Sequence, residues 1–154
     1  MKKINWGIVG LGNIANQFAN AFSIVDNAKI KGIASFDKDK LQSFKKRFNI
    51  EDKLCFDNYK DLILSPSIDI IYIALPNSLH AKYISECINQ KKNILVEKPA
   101  FINLKDLSFL KSELQKEKIF FTEAFMYRYL PYFKKVKEII CLLYTSDAAD
   151  DDRG

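Results

Sequence analysis

The sequence has 154 residues, 48% of them hydrophobic and 28% charged, with 24 Lys or Arg against 19 Asp or Glu. A chain of this length suits one domain with a sizeable core, and its balance excludes a disordered or fibrous protein. No apolar run reaches the roughly 20 residues of a bilayer span, and Met1-Lys2-Lys3 opens no signal-peptide core; a cytoplasmic protein without a membrane partner is expected.

Ile4–Ala15 reads INWGIVGLGNIA. It predicts a buried strand through Ile4, Trp6, Ile8 and Val9, a tight turn through Gly10 and Gly12, and a helix opening at about Asn13. Gly10, Gly12 and Ala15 occupy the small positions of a G-x-G-x-x-A pattern. Gly10 takes the backbone angles of the turn, and Gly12 lets the main chain approach a pyrophosphate. Ala15 lets the helix pack closely on the strand, so that its free N–H groups face the anion. Between a strand and a helix this points to dinucleotide binding. A glycine turn that only links two packed elements is the alternative.

The elements that follow alternate. Ile14, Phe18 and Phe22 recur at helical spacing and predict the buried stripe of the first helix. Ala28–Ser35 is a second strand; Leu41, Phe44 and Phe48 mark a second helix, with Asp37 or Asp39 as N-cap. Lys53–Phe56 is a short third strand, and Asp57 is placed to cap a helical turn carrying Tyr59, Leu62 and Ile63. Asp69–Ala74 is apolar nearly throughout, as a strand covered on both faces should be. A helix over Ser78–Gln90, a strand over Asn93–Val96, a helix over Leu104–Lys116 and a strand over Ile119–Thr122 complete the series. Strands separated by helices predict an α/β fold, a Rossmann-type doubly wound and mainly parallel sheet in the order 3-2-1-4-5-6.

Ligands of such a sheet sit beyond the carboxyl ends of the strands. Strand two ends on Ser35, followed by Phe36, Asp37 and Lys38. A hydroxyl with Lys38 or Lys40 nearby tolerates a 2′-phosphate better than a carboxylate would, so NADP is expected over NAD, although Asp37 is placed to reach a ribose. Phe36 suits either the adenine or rim packing. After strand four come Leu75, Pro76, Asn77, Ser78 and His80. Asn77 serves the cofactor's ribose or carboxamide side, or else Asn77 or Ser78 caps the next helix. His80, the one histidine, is placed at the cleft mouth, or else at the surface or in packing. After strand five comes Glu97-Lys98-Pro99. A lysine there is suited to proton transfer if neighbouring cations and partial desolvation lower its pKa, with Glu97 orienting it; a solvated turn lysine is the alternative. Tyr127 and Arg128 follow strand six, and the Arg128 guanidinium suits a carboxylate or phosphate.

The end of the chain differs in character. Cys141–Gly154 reads CLLYTSDAADDDRG, and TGT CTC TTA TAC ACA TCT, as in a transposase-type sequencing-library adaptor, encodes Cys141–Ser146. Residues 141–154 are therefore expected to be adaptor-derived, the alternative being a genuine acidic tail. Leaving out its four Asp and one Arg moves the formal charge from +5 to +8. The lysines are scattered along the helices and not striped between aromatics, so no nucleic-acid partner is expected. Cys55, Cys87 and Cys141 lie far apart with no C-x-x-C pair, so neither a disulfide framework nor a metal site is expected.

GLGNIA, ALPNSLH, VEKPA and TEAFMYR, in this order and spacing, together resemble the glucose–fructose oxidoreductase / inositol dehydrogenase family (Gfo/Idh/MocA). The branch most like this chain holds the dihydrodiol and D-xylose dehydrogenases. The resemblance runs from about Ile4 to Ile140. It implies a Rossmann domain binding NAD(P) over residues 1–124 and a connection over 125–140. A substrate domain would follow, and that second domain is missing from this sequence. It implies cofactor contacts at Gly10, Gly12, Asn13, Ile14, Pro76, Asn77, His80, Lys98 and Arg128, with Tyr127 beside Arg128 at the nicotinamide and domain junction, and the strand ends add Ser35, Phe36, Lys38, Leu75 and Glu97 as candidate contacts. Lys98 would be catalytic, meeting substrate and moving a proton. That branch often carries Ser-Arg at the end of strand two, and Phe36 stands here in place of the Arg. The parent is thus expected to oxidise a secondary alcohol of a sugar or cyclic diol, as a homo-oligomer, and the fragment alone to turn nothing over. A nucleotide-binding sensor or scaffold on the same fold is the alternative, since fold does not fix function. A methyltransferase is disfavoured by the missing acid at strand two and leaves Glu97-Lys98-Pro99 unexplained.

Overall fold

The structure, a computed structural model, describes the backbone of residues 3–150 and the side chains of residues 3–141. The chain divides into two compact units, one reaching Ala124 and one starting at Phe125.

The first unit is built on six strands: β1 (Ile4–Val9), β2 (Ala28–Ala34), β3 (Cys55–Phe56), β4 (Ile70–Ile73), β5 (Asn93–Val96) and β6 (Phe121–Glu123). They form one sheet in the order β3-β2-β1-β4-β5-β6, and every neighbouring pair is parallel. That is the doubly wound order the alternation predicts. Five helices cross between strands: α1 (Asn13–Asn20), α2 (Lys38–Phe48), α3 (Tyr59–Leu64), α4 (His80–Asn89) and α5 (Leu104–Lys116).

Successive strand residues point to opposite faces, so both must be apolar where both are covered. Ile8, Ile33 and Tyr72 pack with Ala15, Leu41 and Phe44 of α1 and α2. Val9, Ala34 and Ile71 pack with Leu62, Ile84 and Leu110 of α3, α4 and α5. All four residues of β4 are buried, as its unbroken apolar run requires. Gly7 and Gly32 are register partners, and both lie under Leu62 of α3. A Cβ on Gly32 would stand 2.7 Å from Leu62 Cδ1, so the paired glycines form the seat of this short helix.

Local physics overrides several sequence-based expectations. The first helix stops at Asn20 and tightens into a 3-10 turn over Ala21–Ile24. Its buried stripe is Ala15 and Ala19, small enough to bring the helix close to the sheet. Phe18 and Phe22 lie at the margin, half-buried, their rings 5.3 Å apart and grouped with Trp6. The third strand keeps only two residues, because Asp52–Leu54 coils into a 3-10 turn. Asn58, not Asp57, caps α3: its Oδ1 accepts the Asp61 N–H at 2.9 Å, the three-residue reach a cap needs. Asp37 caps α2 as expected, accepting the Lys40 N–H at 3.0 Å. The last strand begins two residues late, since the Ile119 N–H goes back to the Leu114 carbonyl to close α5.

The second unit holds a 3-10 turn over Met126–Tyr129 and the helix α6 (Pro131–Asp150). The Tyr127 ring lies 5.6 Å from that of Phe125 and 5.4 Å from that of Phe133. The adaptor-derived reading of residues 141–154 falls, from residue 142 on, on side chains outside the described residues.

Candidate cofactor site

The glycine loop leaves β1 at the carboxyl edge of the sheet. Gly10 has φ +87°, a region open to glycine, and its N–H donates to the Ala34 carbonyl at 3.1 Å. A Cβ there would meet the Ala74 carbonyl oxygen at 2.5 Å and Leu75 Cδ2 at 2.7 Å. The buried Leu75 side chain therefore serves as the floor under the loop. Gly12, next in the loop, is different: no atom lies within 4 Å of where its Cβ would stand. It is the N-cap of α1, with no side-chain cap bond and no acid in the first turn. The N-terminal amides of α1 are thus left for an anion. Asn13 is exposed and Ile14 half-buried beside them, and Ala15 is fully buried. An open side at Gly12 over uncapped amides fits the pyrophosphate of a dinucleotide.

At the end of β2, Ser35 is buried, and its Oγ accepts the Asp37 N–H at 3.1 Å. The Asp37 carboxylate is occupied by α2: one oxygen accepts the Lys40 N–H and the other pairs with Lys40 Nζ at 3.1 Å. The Lys40 amide, ahead of its ammonium, holds the Asp37 carboxyl below its ordinary range. Lys38 is exposed and forms no ion pair among the described residues. Phe36 is 63% exposed, its ring set edge-on to Tyr59 at 4.6 Å.

After β4, Pro76 and Asn77 are exposed, and a 3-10 turn over Asn77–Leu79 leads into α4. Neither Asn77 nor Ser78 makes a capping bond, which corrects that expectation: the 3-10 turn moves the start of α4 past both. His80 is neither a surface residue nor at a cleft mouth; it is 0% exposed. Its Nε2 lies 2.8 Å from the Leu75 carbonyl and its Nδ1 2.9 Å from the Pro99 carbonyl. Whichever nitrogen carries the proton donates to its carbonyl, and the ring lies between the loop after β4 and the turn after β5.

That turn presents Lys98, which is exposed to solvent. The partial desolvation expected for it is not provided by the residues around it. The Lys98–Pro99 peptide is cis. Glu97 is half-buried; its Oε1 accepts the Tyr72 hydroxyl at 2.5 Å, and its Oε2 lies 3.4 Å from the Lys98 N–H. Burial, and then the Glu97 carboxylate, push the Tyr72 phenol well above its ordinary value. Beyond the turn, the Ala100 N–H donates to Glu123 Oε1 at 2.7 Å. Tyr72 and Glu123 were not singled out by sequence reasoning. Tyr72 stands inside an apolar run, and Glu123 sits within a motif that drew attention to its Arg. Arg128 and Tyr127 belong to the second unit, where the Arg128 N–H donates to the Phe125 carbonyl at 3.1 Å.

Among the described residues no helix is long and apolar enough to cross a membrane. An open apolar groove between α5 and β6, floored by Leu107, Leu114 and Phe121, shares no residue with the glycine loop or the turn at Lys98.

Comparison with known proteins places the fold among oxidoreductases. Trans-1,2-dihydrobenzene-1,2-diol dehydrogenase of Xenopus tropicalis is 30% identical over 137 residues, 88% of this chain and 41% of that protein. A 3-ketoreductase from Actinomadura kijaniata, solved with NADP and TDP-benzene, superposes with a TM-score of 0.82 at 26% identity over 90% of this chain and 42% of its own. Scyllo-inositol dehydrogenase from Lactobacillus casei, solved with NAD(H) and scyllo-inositol, gives a TM-score of 0.84 at 24% identity, covering 92% and 42%; at that identity the likeness is one of fold. The chain thus spans about two-fifths of the length of the relatives it matches. Residues 4–125 match the Gfo/Idh/MocA model, the oxidoreductase family with an NAD-binding Rossmann fold, and the chain belongs to that family.

Proposed function

We propose that this chain is the cofactor-binding part of an NAD(P)-dependent oxidoreductase that oxidises a secondary alcohol on a sugar or cyclic diol. The observation that carries the reading is the open Gly12 above the uncapped start of α1, at the same sheet edge as Lys98. Gly10, Gly12, Asn13 and Ile14 receive the pyrophosphate, and Pro76 and Asn77 face the ribose and nicotinamide side. Leu75, His80 and Glu97 hold the loops that do so. Lys98 contacts the substrate and helps move its hydroxyl proton, and Arg128 serves the nicotinamide end. When bound, the nicotinamide supplies the hydride acceptor. The diol dehydrogenase among the relatives supports the substrate class. Alone, the 154-residue chain binds cofactor and turns nothing over; the longer protein is a homo-oligomer of the cytoplasm.

NADP is favoured over NAD. Ser35 places no carboxylate at the end of β2, Asp37 is engaged by α2, and Lys38 is free to meet a 2′-phosphate, with Phe36 against the adenine. The test is a titration with NADPH and with NADH, followed by the fluorescence of Trp6, the one tryptophan. NADPH is expected to bind more tightly, and Lys38→Glu to weaken it about tenfold, the size of one lost charge-assisted bond, while sparing NADH. No binding of either dinucleotide would overturn the reading. Equal binding of both, unmoved by Lys38→Glu, would overturn the NADP preference.

A further inference from the structure

We infer that Tyr72 is a positioning residue for the turn that presents Lys98, an inference resting on the cofactor-site reading above. Tyr72 lies in the middle of β4 and is 1% exposed, yet it carries a hydroxyl. A buried hydroxyl needs a partner, and here the partner is the Glu97 carboxylate at 2.5 Å, a short charge-assisted bond. Glu97 directly precedes Lys98, and its second carboxylate oxygen lies 3.4 Å from the Lys98 N–H. Tyr72 thus fixes the side chain that in turn holds the backbone amide of Lys98.

The same ring lies 4.1 Å from the ring of Phe18 in α1, the helix whose N-terminus receives the phosphate. One side chain therefore touches both halves of the site: the phosphate helix through its face and the Lys98 turn through its hydroxyl. Two further residues meet the turn from other directions: Glu123 accepts the Ala100 N–H, and His80 Nδ1 lies 2.9 Å from the Pro99 carbonyl. Neither touches Glu97. Among the described residues, Tyr72 is the one side chain that bonds the Glu97 carboxylate.

The test is Tyr72→Phe in the full chain, read by amide hydrogen exchange. Phenylalanine keeps the ring against Phe18 and removes only the hydroxyl. The Lys98 amide is expected to exchange on the order of tenfold faster, the scale of one hydrogen bond to a charged group. The Gly10 and Glu97 amides, held by the Ala34 and Ile73 carbonyls, are expected to be unchanged. An unchanged Lys98 amide, or an equal acceleration at all three, would overturn the inference, the second outcome meaning that Tyr72 serves general packing. Should Tyr72→Phe fail to fold, the unmodified chain decides: its Tyr72 hydroxyl proton is expected as a downfield, slowly exchanging resonance. A Tyr72 hydroxyl proton exchanging as fast as those of exposed tyrosines would overturn the inference. Exchange is read without cofactor, so a failure to bind NADPH would count against the cofactor reading and not against this one.

Discussion

Gly10 and Gly12 stand two residues apart in one loop but are glycines for different reasons. Gly10 is required by the fold: its φ is positive, and a Cβ would press on the Ala74 carbonyl, a backbone atom that cannot swing aside. Gly10→Ala is expected to cost on the order of 1–3 kcal/mol of stability through backbone strain. Gly12 has an ordinary φ of −82° and open space around it, so the fold has no need of glycine there. Gly12→Ala is expected to cost no more than about 1 kcal/mol, the difference between glycine and alanine at the N-cap of α1. Its methyl group would stand where the pyrophosphate approaches, and NADPH affinity should fall at least tenfold, about 1.4 kcal/mol. Urea unfolding and the Trp6 titration separate the two effects. A large stability loss at Gly12 would show that its openness serves the fold and not a ligand. The loop pattern made both glycines visible in the sequence and already separated them, Gly10 for the angles of the turn and Gly12 for the approach of a pyrophosphate. His80 was harder to read, because a lone histidine after a strand looks the same whether solvent or two carbonyl oxygens surround it.

At the scale of elements, the short α3 shows how much the neighbours of a segment decide. Six residues make an unstable helix in isolation. Here Asn58 caps it and Leu62 anchors it, fully buried, over Gly7 and Gly32. Gly32→Ala would drive a methyl group to 2.7 Å from Leu62 Cδ1 and 3.3 Å from the Leu54 carbonyl. Overpacking of this kind is expected to cost about 1–3 kcal/mol, and Asn58→Ala about 1 kcal/mol through the lost cap. Both are read as shifts of the urea midpoint. A neutral Gly32→Ala would mean that α3 slides easily, and that the glycine pair is not its seat. The order of the sheet was legible because apolar strands and amphipathic helices alternate strictly from Ile4 onward. What the sequence hid were features set by contact across the fold. The Leu62 seat depends on two glycines 25 residues apart. The Tyr72–Glu97 bond joins adjacent strands, and in the sequence DIIYIA the tyrosine reads as one more apolar residue.

For the molecule as a whole, buried acids make stability sensitive to high pH. Cys87 and Tyr72 are both essentially buried, and burial pushes the thiol up from 9.0 and the phenol up from 10.0. Both stay protonated in the fold at pH values where the unfolded chain has begun to ionise. Their contribution is therefore complete below the unfolded values and is lost as pH rises past 9.0 and then 10.0. Each group contributes a slope of up to about 1.4 kcal/mol per pH unit. Other groups shape the margins. Burial lowers Lys92 below 10.5, which opposes the loss only up to that value. The bond from Asp52 raises half-buried Lys45 above 10.5, so its small contribution fades higher still. At the acid end Asp37 and Glu51 are lowered from 3.8 and 4.5, so what they contribute is lost as pH falls below those values. Both are exposed and weakly coupled to folding. The alkaline side should accordingly be the steeper one. Urea unfolding across the alkaline range is expected to show stability falling from about pH 9, with Cys87→Ala making the first fall shallower, since burial also raises Cys55 from 9.0, and Tyr72→Phe flattening the later part. Stability that held level past both unfolded values would mean that the two groups reach solvent in the native state. A first fall equally steep in Cys87→Ala would place that ionisation on another residue.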